Sequence, residues 1–496
     1  MLTSYPVNYP EMVVKKSEGL TISEKKLVAL GYRTFLRLWS YPNPYKMQKN
    51  GKELCDLLIV FDNHIIIFSD KECLYGDSGN QKVDWRRWYK RAIKKSAEQL
   101  IGAKAWIERY PDRIAIDAKC EKPFPLKIEI TPETQFHLIA IAHGAANRCR
   151  EYFGDGDGGL LIDNQIVGNM HIGEDCEPFE IGLVSENSRD FIHVFDDASY
   201  ENVLYELDTI QDFLKYLEVR RELLLTKKVI AESENDILAQ HLMGVMLRNA
   251  SLFQETCKDY SAVHFEGGSL DELRRSSQYI DWRKTVAKSY FWDNLLQKTF
   301  FFIENGFSDF TSSPTLQEQS QLFYRLARED RAHRLCLSES FMSLFEKTSP
   351  DTRATRIIYN PDEPETCYIL LLFPRKEYMT DTDYHKVRRA LLEDYCSITK
   401  ADLPQARYII GVARESADTD YSSEDFIFLD ASEWTPEQQA NAVSRKEEFE
   451  RTGLLAERTF HSKTFFTKKI AVKGRDRNKP CPCGSGLKYK KCCGRN

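Results

Sequence analysis

A short stretch near the N-terminus places charged side chains beside two apolar runs. Asp56 precedes the run Leu57–Phe61, and Asp70 and Lys71 follow the run Ile65–Phe68. Only three residues, including a turn-forming Asp-Asn pair, separate the runs, and this spacing predicts a hairpin that brings the charges together. Carboxylate oxygens suit magnesium or manganese, and a lysine can stabilise charge on a phosphoryl group or orient a water molecule. The stretch therefore predicts a phosphodiester-cleaving site in which Asp56 and Asp70 bind the metal ion.

The helix predicted from Asp84, as N-cap, to Arg109 adds a polar residue to this site. Gln99 shares the predicted inner face with Trp88, Ala92, Ala103 and Trp106. A glutamine among apolar neighbours needs hydrogen-bond partners, and packing of the helix on the hairpin would direct Gln99 towards the acidic cluster. The outer face carries basic residues that could follow a phosphate backbone, namely Arg86, Arg87, Lys90, Arg91, Lys94 and Lys95. The alternative is an ordinary solvated face, with Gln99 bonded to a buried backbone group.

The C-terminal tail contains a second cluster with the residue types of a metal site. Cys481, Cys483, Cys492 and Cys493 lie within the last sixteen residues. Four thiolates can close a tetrahedral zinc site, and a segment this short has no hydrophobic core of its own. From residue 471 onwards there are eight Lys/Arg against one Asp, so the tail stays basic even beside a zinc centre of about −2 charge. An oxidised or disordered tail is the alternative.

Length and composition limit the class of protein. A chain of 496 residues is expected to form about two to four domains. No apolar run approaches the roughly 18 residues that span a bilayer, and the N-terminus has no export signal, so we expect a cytoplasmic protein without a membrane span. The net charge of −6 gives no global sign of nucleic-acid binding. The nine other cysteines are scattered, which is typical of reduced positions in a core.

Strands that alternate with helices predict an α/β fold class. Further elements are predicted as a helix within Lys26–Tyr45, strands over Gln135–Ala142 and Phe191–Phe195, a helix over Tyr200–Leu225, strands over Tyr368–Phe373, Tyr408–Val412 and Phe426–Leu429, and helices over Thr382–Tyr395 and Pro436–Arg451. The predicted order is an N-terminal α/β domain (1–225), a helical middle (226–350), a second, smaller α/β module (351–455) and the tail (474–496). The absence of a Gly-x-x-x-x-Gly-Lys-Ser/Thr loop argues against an ATP-driven motor.

The cysteine spacing of the tail resembles the SEC-C motif, a zinc-binding element found at the C-terminus of the translocase ATPase SecA. The resemblance covers about twenty residues and implies that all four cysteines hold zinc. It also implies a docking role, because the corresponding element of SecA resembles a docking tag that contacts partners such as the chaperone SecB or the ribosome. The rest of the chain shows no motor motif, so the resemblance does not extend to translocation.

Residues 50–145 resemble the core of the PD-(D/E)XK nuclease superfamily, which implies a restriction-endonuclease-like α/β domain. The pattern of that family is an acid before one strand, an acid-x-lysine on the next strand, and often a glutamine on the following helix. Asp56, Lys71 and Gln99 take these positions, whereas Ser69 stands where the second acid is expected. Because strand side chains alternate, Ser69 and Lys71 share one face and Asp70 and Glu72 the other.

Three arrangements could supply the second acid or dispense with it. A bulge or the strand end could turn Asp70 inward, Glu53 or Glu98 could replace it, or the fold could serve binding alone. The sequence is therefore compatible with two functions. The first is a magnesium- or manganese-dependent nuclease acting on DNA or RNA, with the zinc tail for docking on a partner or on nucleic acid. The second is a non-catalytic adaptor whose SEC-C tail docks on the ribosome, SecB or another protein.

Overall fold

The computed structural model describes residues 16–455, except 50, 155, 248–256, 258, 305–315, 360–363 and 418–423, together with residue 488. Among these residues, 16–285 form one compact unit and 286–455 form a second. We call them the first and the second unit. Both contain helices and β-sheets, which confirms a mixed α/β protein. The predicted boundaries at 225 and 350 fall inside these two units.

The first unit contains three sheets. Its described strands are β1 Ser40–Pro42, β2 Tyr45–Lys46, β3 Lys52–Glu53, β4 Leu57–Phe61, β5 His64–Glu72, β6 Ile114–Ala115, β7 Gln135–His143, β8 Leu161–Val167, β9 Glu180–Leu183, β10 Ile192–Asp196, β11 Lys228–Ala231 and β12 Ala262–Phe265. The central sheet has the order β1-β4-β5-β7-β10, and two smaller sheets have the orders β12-β11-β8-β9 and β3-β2-β6.

Helices cover the central sheet and connect its strands. Those of the first unit are α1 Ile22–Phe35, α2 Gln81–Tyr89, α3 Lys95–Arg109, α4 Ala146–Phe153, α5 Tyr200–Glu206, α6 Ile210–Thr226, α7 Glu234–Met246, α8 Ser269–Arg275 and α9 Ser277–Val286. Short 3₁₀ segments lie at Arg37–Trp39, Gly168–Ile172 and Ser188–Asp190. A π-helical turn, Lys90–Lys94, joins α2 to α3 without a break.

The predicted hairpin is confirmed. β4 and β5 pair antiparallel, with Leu57 opposite Phe68 and Phe61 opposite His64. Asp62 adopts a left-handed conformation with φ of 54°, which its short polar side chain tolerates in a tight turn. β5, β7 and β10 then run parallel to one another.

Both faces of the central sheet are covered, which is why β4 and β5 read as continuous apolar runs. On one face, Phe68 packs against Phe35 of α1 and Phe213 of α6, with ring centroids 5.8 and 6.3 Å apart. On the other face, α3 and the π-helical turn pack on β5 and β7. Trp85 and Trp88 of α2 are fully buried. Residues that alternate along β5 therefore face two different sets of helices.

Several predicted helices have different bounds in the structure. The helix predicted within Lys26–Tyr45 is α1, which begins earlier, at Ile22, and ends at Phe35, because Leu36 has a positive φ of 64°. The helix predicted from Asp84 begins at Gln81, because Asn80 is the N-cap and its side chain accepts from Val83 N.

The helix predicted over Tyr200–Leu225 is two helices. The first, α5, ends at Glu206, and the second, α6, begins at Ile210. Thr209 lies between them as a new N-cap and accepts from Asp212 N. The apolar pattern of Tyr200–Leu225 continues across this break. Thr209 did not indicate a new helix start, because a threonine can also lie inside a helix.

The second unit combines helices with a four-stranded sheet. Its described elements are α10 Tyr290–Glu304, α11 Leu316–Ala327, α12 Arg331–Lys347, β13 Ala354–Tyr359, β14 Thr366–Phe373, α13 Asp381–Asp402, β15 Tyr408–Glu415, β16 Asp425–Asp430 and α14 Pro436–Arg451, with a 3₁₀ segment at Ala287–Ser289. β14 and β15 are parallel and central, and β13 and β16 flank them antiparallel. The predicted small α/β module corresponds to this sheet with α13 and α14.

In the part of the chain that the structure describes, no helix is both long and apolar enough to cross a membrane. The nine cysteines described there are free, and six of them are buried, in agreement with the predicted reduced core positions. The predicted cytoplasmic location stays a prediction.

Candidate functional site

The ends of β4 and β5 position Asp56 and Lys71 on one face of the central sheet. Asp56 directly precedes β4, and its backbone N–H donates to Phe68 O at 3.1 Å, which places it opposite Ser69. Side chains opposite each other on paired strands share a face, so Asp56, Ser69 and Lys71 lie together. The Lys71 Nζ is 3.6 Å from the Asp56 Oδ2. The predicted approach of these two groups is therefore present.

Gln99 reaches the same face from α3. The buried Ser69 Oγ donates to Gln99 Oε1 at 3.3 Å. The predicted direction of Gln99 is thus observed, and its partner is the serine at the position where the nuclease pattern expects an acid. Asp56, Ser69, Lys71 and Gln99 form one polar group, which we call the β4–β5 cluster.

Asp70 does not join this cluster, although the sequence analysis assigned it to a metal site shared with Asp56. Its side chain follows the alternation of β5 to the opposite face, where the Asp70 Oδ1 is 2.5 Å from the His143 Nε2. The His143 Nδ1 is 2.7 Å from the Asp197 Oδ1. Only the backbone N–H of Asp70 reaches the cluster, donating to Asp56 Oδ2 at 2.5 Å. No bulge redirects the strand, because β5 stays in continuous register with β7 from His64 to Glu72.

The surroundings of Asp56 favour its neutral form. Burial raises the pKa of Asp56 to about 7, against the opposing effects of the Lys71 charge and the hydrogen bond from Asp70 N–H. The negative charges of Glu53 and Glu24 add to the rise. A carboxyl with a pKa near neutrality changes its charge in the range where a general base or a metal ligand must act.

Two acids near Asp56 were not assigned a joint role by the sequence analysis. Asn43 Nδ2 donates to Glu24 Oε2 at 2.9 Å and to Glu53 Oε1 at 2.8 Å, and its backbone N–H donates to Asp56 O at 3.0 Å. Asn43 therefore holds α1, β3 and the residue before β4 together. Glu53 is the better candidate for a second acid, because Glu98 is exposed on α3. Nothing in the local sequence around Glu24 indicated this position.

His143 is the polar residue that the sequence analysis missed altogether. It lies at the last position of β7, one residue beyond the predicted end of that strand. Burial alone would lower its pKa, but hydrogen bonds and charge from Asp197 and Asp70 raise the pKa to about 10. His143 is therefore a cation between two carboxylates. One oxygen of this group, the buried Asp70 Oδ2, has no hydrogen-bond partner among the described residues.

Within the described ranges, no group of three or more His, Cys, Asp or Glu side chains is arranged to hold a metal ion. The β4–β5 cluster contributes one carboxylate, that of Asp56. The zinc ligands predicted at Cys481, Cys483, Cys492 and Cys493 lie outside the described residues.

Comparison with known proteins identifies the tail. The SEC-C motif model matches residues 477–495. Twenty residues are 90% identical to the protein translocase subunit SecA of Carboxydothermus hydrogenoformans and cover 4% of this chain and 2% of that protein. Over 56 residues the chain is 46% identical to SecA of Finegoldia magna, covering 11% and 6% of the two proteins. Over 74 residues it is 40% identical to SecA of Aliarcobacter butzleri, covering 14% and 8%.

This chain therefore spans less than a tenth of the length of each of these SecA relatives. No solved structure matches it. The resemblance of residues 50–145 to the PD-(D/E)XK superfamily, and the restriction-endonuclease-like fold that it implies, stay predictions. The SEC-C motif, which commonly binds zinc, is confirmed at the C-terminus.

Proposed function

We propose that the first unit hydrolyses phosphodiester bonds in nucleic acid, as a metal-dependent enzyme of the PD-(D/E)XK kind. The observation that carries this proposal is the convergence of Asp56, Lys71 and Gln99 on one face of the sheet. These residues come from a strand start, the neighbouring strand and the following helix, as three positions of the family pattern require, while Ser69 takes the position of the second acid. The raised pKa of Asp56 adds support, because strongly perturbed carboxyls are enriched at functional sites.

Each side chain of the cluster has a distinct role in this proposal. Asp56 holds the metal ion as a carboxylate, and the neighbouring Lys71 ammonium stabilises charge on the phosphoryl oxygens. Lys71 is partly exposed, with 31% of its side-chain surface accessible, so a phosphate group can reach it. Gln99 positions the Ser69 hydroxyl through their hydrogen bond. Glu53, whose negative charge acts on Asp56, is the candidate for a second acid.

The residues of this site can hold magnesium or manganese only as an ion with few protein ligands. Magnesium commonly keeps several waters and is bound by one or two carboxylates together with substrate phosphates. Asp56 alone, or Asp56 with Glu53, satisfies that requirement. When bound, the ion supplies Lewis-acid activation of the phosphoryl group and an activated water molecule. Asp70 has no part in this site, because it is engaged with His143 on the opposite face.

A cleavage assay with the full chain tests this proposal. Labelled single-stranded and duplex DNA and RNA are incubated with magnesium or manganese and with wild type, Lys71→Ala or Lys386→Ala. Lys386 is an exposed lysine on α13 and serves as the matched control. We expect Lys71→Ala to lose about 100-fold or more in rate, the usual loss for one group that stabilises transition-state charge, and the control to lose nothing. Equal rates for all three proteins would refute the assigned site, and no cleavage by wild type would refute the activity.

A docking role for the tail is the second candidate, and the SEC-C match favours it. In this role the four cysteines hold zinc, and the basic face of the tail contacts a partner such as the ribosome, SecB or another protein. The first unit would then use the β4–β5 cluster for structure or binding only. The two candidates are compatible, because a tail can direct an enzyme to its substrate.

Metal analysis of the purified full chain tests the zinc ligands. We expect about one zinc per chain in wild type and a nearly complete loss in Cys483→Ser, since a structural zinc site needs all four of its ligands. Cys336→Ser, which changes a half-buried cysteine on α12, is the control and should retain the metal. Retention of zinc by Cys483→Ser would contradict the ligand assignment.

A further inference from the structure

The helical segment beside the β4–β5 cluster is strongly basic within an acidic chain. Between residues 86 and 113 there are nine Lys/Arg against three acids, whereas the whole chain has a net charge of −6. A local surplus of this kind attracts polyanions even when the protein as a whole repels them. The positions of the individual cations show which surface of the protein they lie on.

Two contacts fix how the helix runs along β5. The Arg91 Nη2 donates to Leu74 O at 2.9 Å, just beyond the end of β5. Eight residues later, Gln99 accepts from Ser69 Oγ. The helix therefore runs antiparallel to β5, and the side chains of Arg91 and Gln99 both reach that strand or the residues just after it. We call Arg91, Lys95 and Gln99 the 91-95-99 row.

Lys95 lies one α-helical turn before Gln99 and directly follows the π-helical turn that contains Arg91. Because Arg91 contacts Leu74 and Gln99 contacts Ser69, the backbone at Lys95 passes the stretch of β5 between these two points, which contains Lys71. The Lys71 ammonium is 3.6 Å from the Asp56 carboxylate. Arg91 and Lys95 are both exposed. This stretch of helix and strand thus carries three cations, Arg91, Lys95 and Lys71.

The same edge continues past Gln99. The Lys46 Nζ donates to Gly102 O at 3.3 Å and lies 5.5 Å from the centroid of the Trp106 ring. Burial and the charge of Lys52 lower the pKa of Lys46. A cation that is partly desolvated and held against an aromatic ring is a suitable contact for a phosphate oxygen.

Aromatic rings and arginine side chains lie at the far end of this edge. The rings of Trp106 and Tyr110 have centroids 4.9 Å apart and are both partly exposed. The guanidinium carbons of Arg109 and Arg113 each lie 5.2 Å from the centroid of the Tyr110 ring. Rings interleaved with cations are typical of surfaces that stack unpaired bases while contacting the phosphate backbone.

In the described part of the chain, five cations along this edge lack a carboxylate partner, although Arg91 and Lys46 each donate to a backbone carbonyl. Among the described residues, no carboxylate lies within ion-pair distance of Lys46, Arg91, Lys95, Arg109 or Arg113. These five residues and Lys71 form what we call the cationic edge. From Arg91 to Trp106 it follows fifteen helical steps, or about 22 Å at 1.5 Å per residue.

We infer that the cationic edge binds single-stranded nucleic acid and leads its backbone to the β4–β5 cluster. This inference rests on the proposed function, and it specifies single-stranded nucleic acid as the substrate class of the β4–β5 cluster. Phosphates contact the cations, and unpaired bases stack on Trp106 and Tyr110. A duplex keeps its bases stacked inside and offers the edge its phosphates alone, so single strands bind more tightly.

Fluorescence anisotropy with the full chain in EDTA tests binding without cleavage. The probes are a labelled 20-nucleotide single-stranded DNA, the RNA of the same sequence and the matching DNA duplex, each at low and at physiological salt. We expect the single strands to bind several-fold more tightly than the duplex. The double substitution Arg91→Glu with Lys95→Glu should weaken single-strand binding about tenfold or more at low salt and reduce its salt dependence.

The matched control is the double substitution Lys90→Glu with Lys94→Glu, which makes the same charge change on neighbouring exposed positions outside the 91-95-99 row. At physiological salt, where exposed charges are screened beyond about 8 Å, we expect it to weaken binding clearly less than Arg91→Glu with Lys95→Glu. Equal losses in the two double variants, or equal affinity for duplex and single strand, would overturn the inference. This assay contains no metal and therefore reports binding alone. A protein that binds single strands here but fails to cleave them in the separate assay with magnesium or manganese contradicts only the proposed function. Cleavage of duplex without preference for single strands contradicts only this inference.

Discussion

Asp56→Asn is expected to slow phosphodiester cleavage strongly and, at the same time, to make the protein more stable at pH 8. The neutral amide cannot act as a carboxylate ligand, so we expect a rate loss of at least about 100-fold. Stability should rise because the native state buries a charge that it disfavours. The pKa of Asp56 is raised from 3.8 to about 7, and three pKa units correspond to at most about 4 kcal/mol at high pH. Since Lys71 loses its partner in the variant, we expect a net gain of about 1–3 kcal/mol.

The pH dependence of this gain follows from the raised pKa. A carboxyl whose native pKa is raised contributes stability below its unfolded pKa, and that contribution is lost as pH rises through the native pKa. The difference in unfolding free energy between Asp56→Asn and wild type should therefore grow from about pH 4 to about pH 7 and stay constant above. Urea denaturation in EDTA at several pH values measures it. A variant that is less stable than wild type at pH 8 would show that Asp56 is a structural ion-pair residue.

His143→Ala is expected to destabilise the first unit by about 3–5 kcal/mol, the usual cost of removing one member of a buried charge group. The substitution leaves Asp70, whose side chain is 1% exposed, beside Asp197 without a cation between them. Urea denaturation measures the loss. The exposed His264 on β12 provides the control, and His264→Ala should change stability by no more than about 0.5 kcal/mol.

The stabilising effect of His143 should change with pH above neutrality, whereas that of Asp56 changes below neutrality. Its pKa is raised from 6.5 to about 10, so its contribution is complete below pH 6.5 and is lost as pH rises through 10. The stability difference between wild type and His143→Ala should therefore shrink between pH 7 and pH 10. A difference that stays constant over this range would show that the imidazole contributes by packing rather than by charge.

The hairpin of β4 and β5 was predictable because its information is local. Two β-branched runs and a short turn determine the pairing, and the alternation of β5 separates Ser69 and Lys71 from Asp70. The spacing of the nuclease pattern then located Lys71 and Gln99 near Asp56. The SEC-C tail was predictable for a similar reason, since its four cysteines lie within thirteen consecutive residues.

The partners of these residues could not be read from the chain. His143 pairs with Asp70 only because β7 lies parallel to β5, and Asp197 follows the next parallel strand, β10. Register between parallel strands depends on packing across long connections, for which the sequence gives no local signal. Glu24 and Asn43 approach Asp56 in the same way, through the packing of α1 and the edge strands.

The sequence by itself determined the hairpin, the face on which each side chain of β5 lies, the basic character of the following helix and the SEC-C tail, because each depends on neighbours a few residues apart. Only the tertiary structure decided that Asp70 contacts a buried histidine instead of the Asp56 site and that burial brings the pKa of Asp56 near neutrality. It also decided that Lys46 contacts the helix at Gly102 and Trp106. These features depend on burial and on strands and helices distant in the chain, and such contacts exist only after the central sheet has assembled.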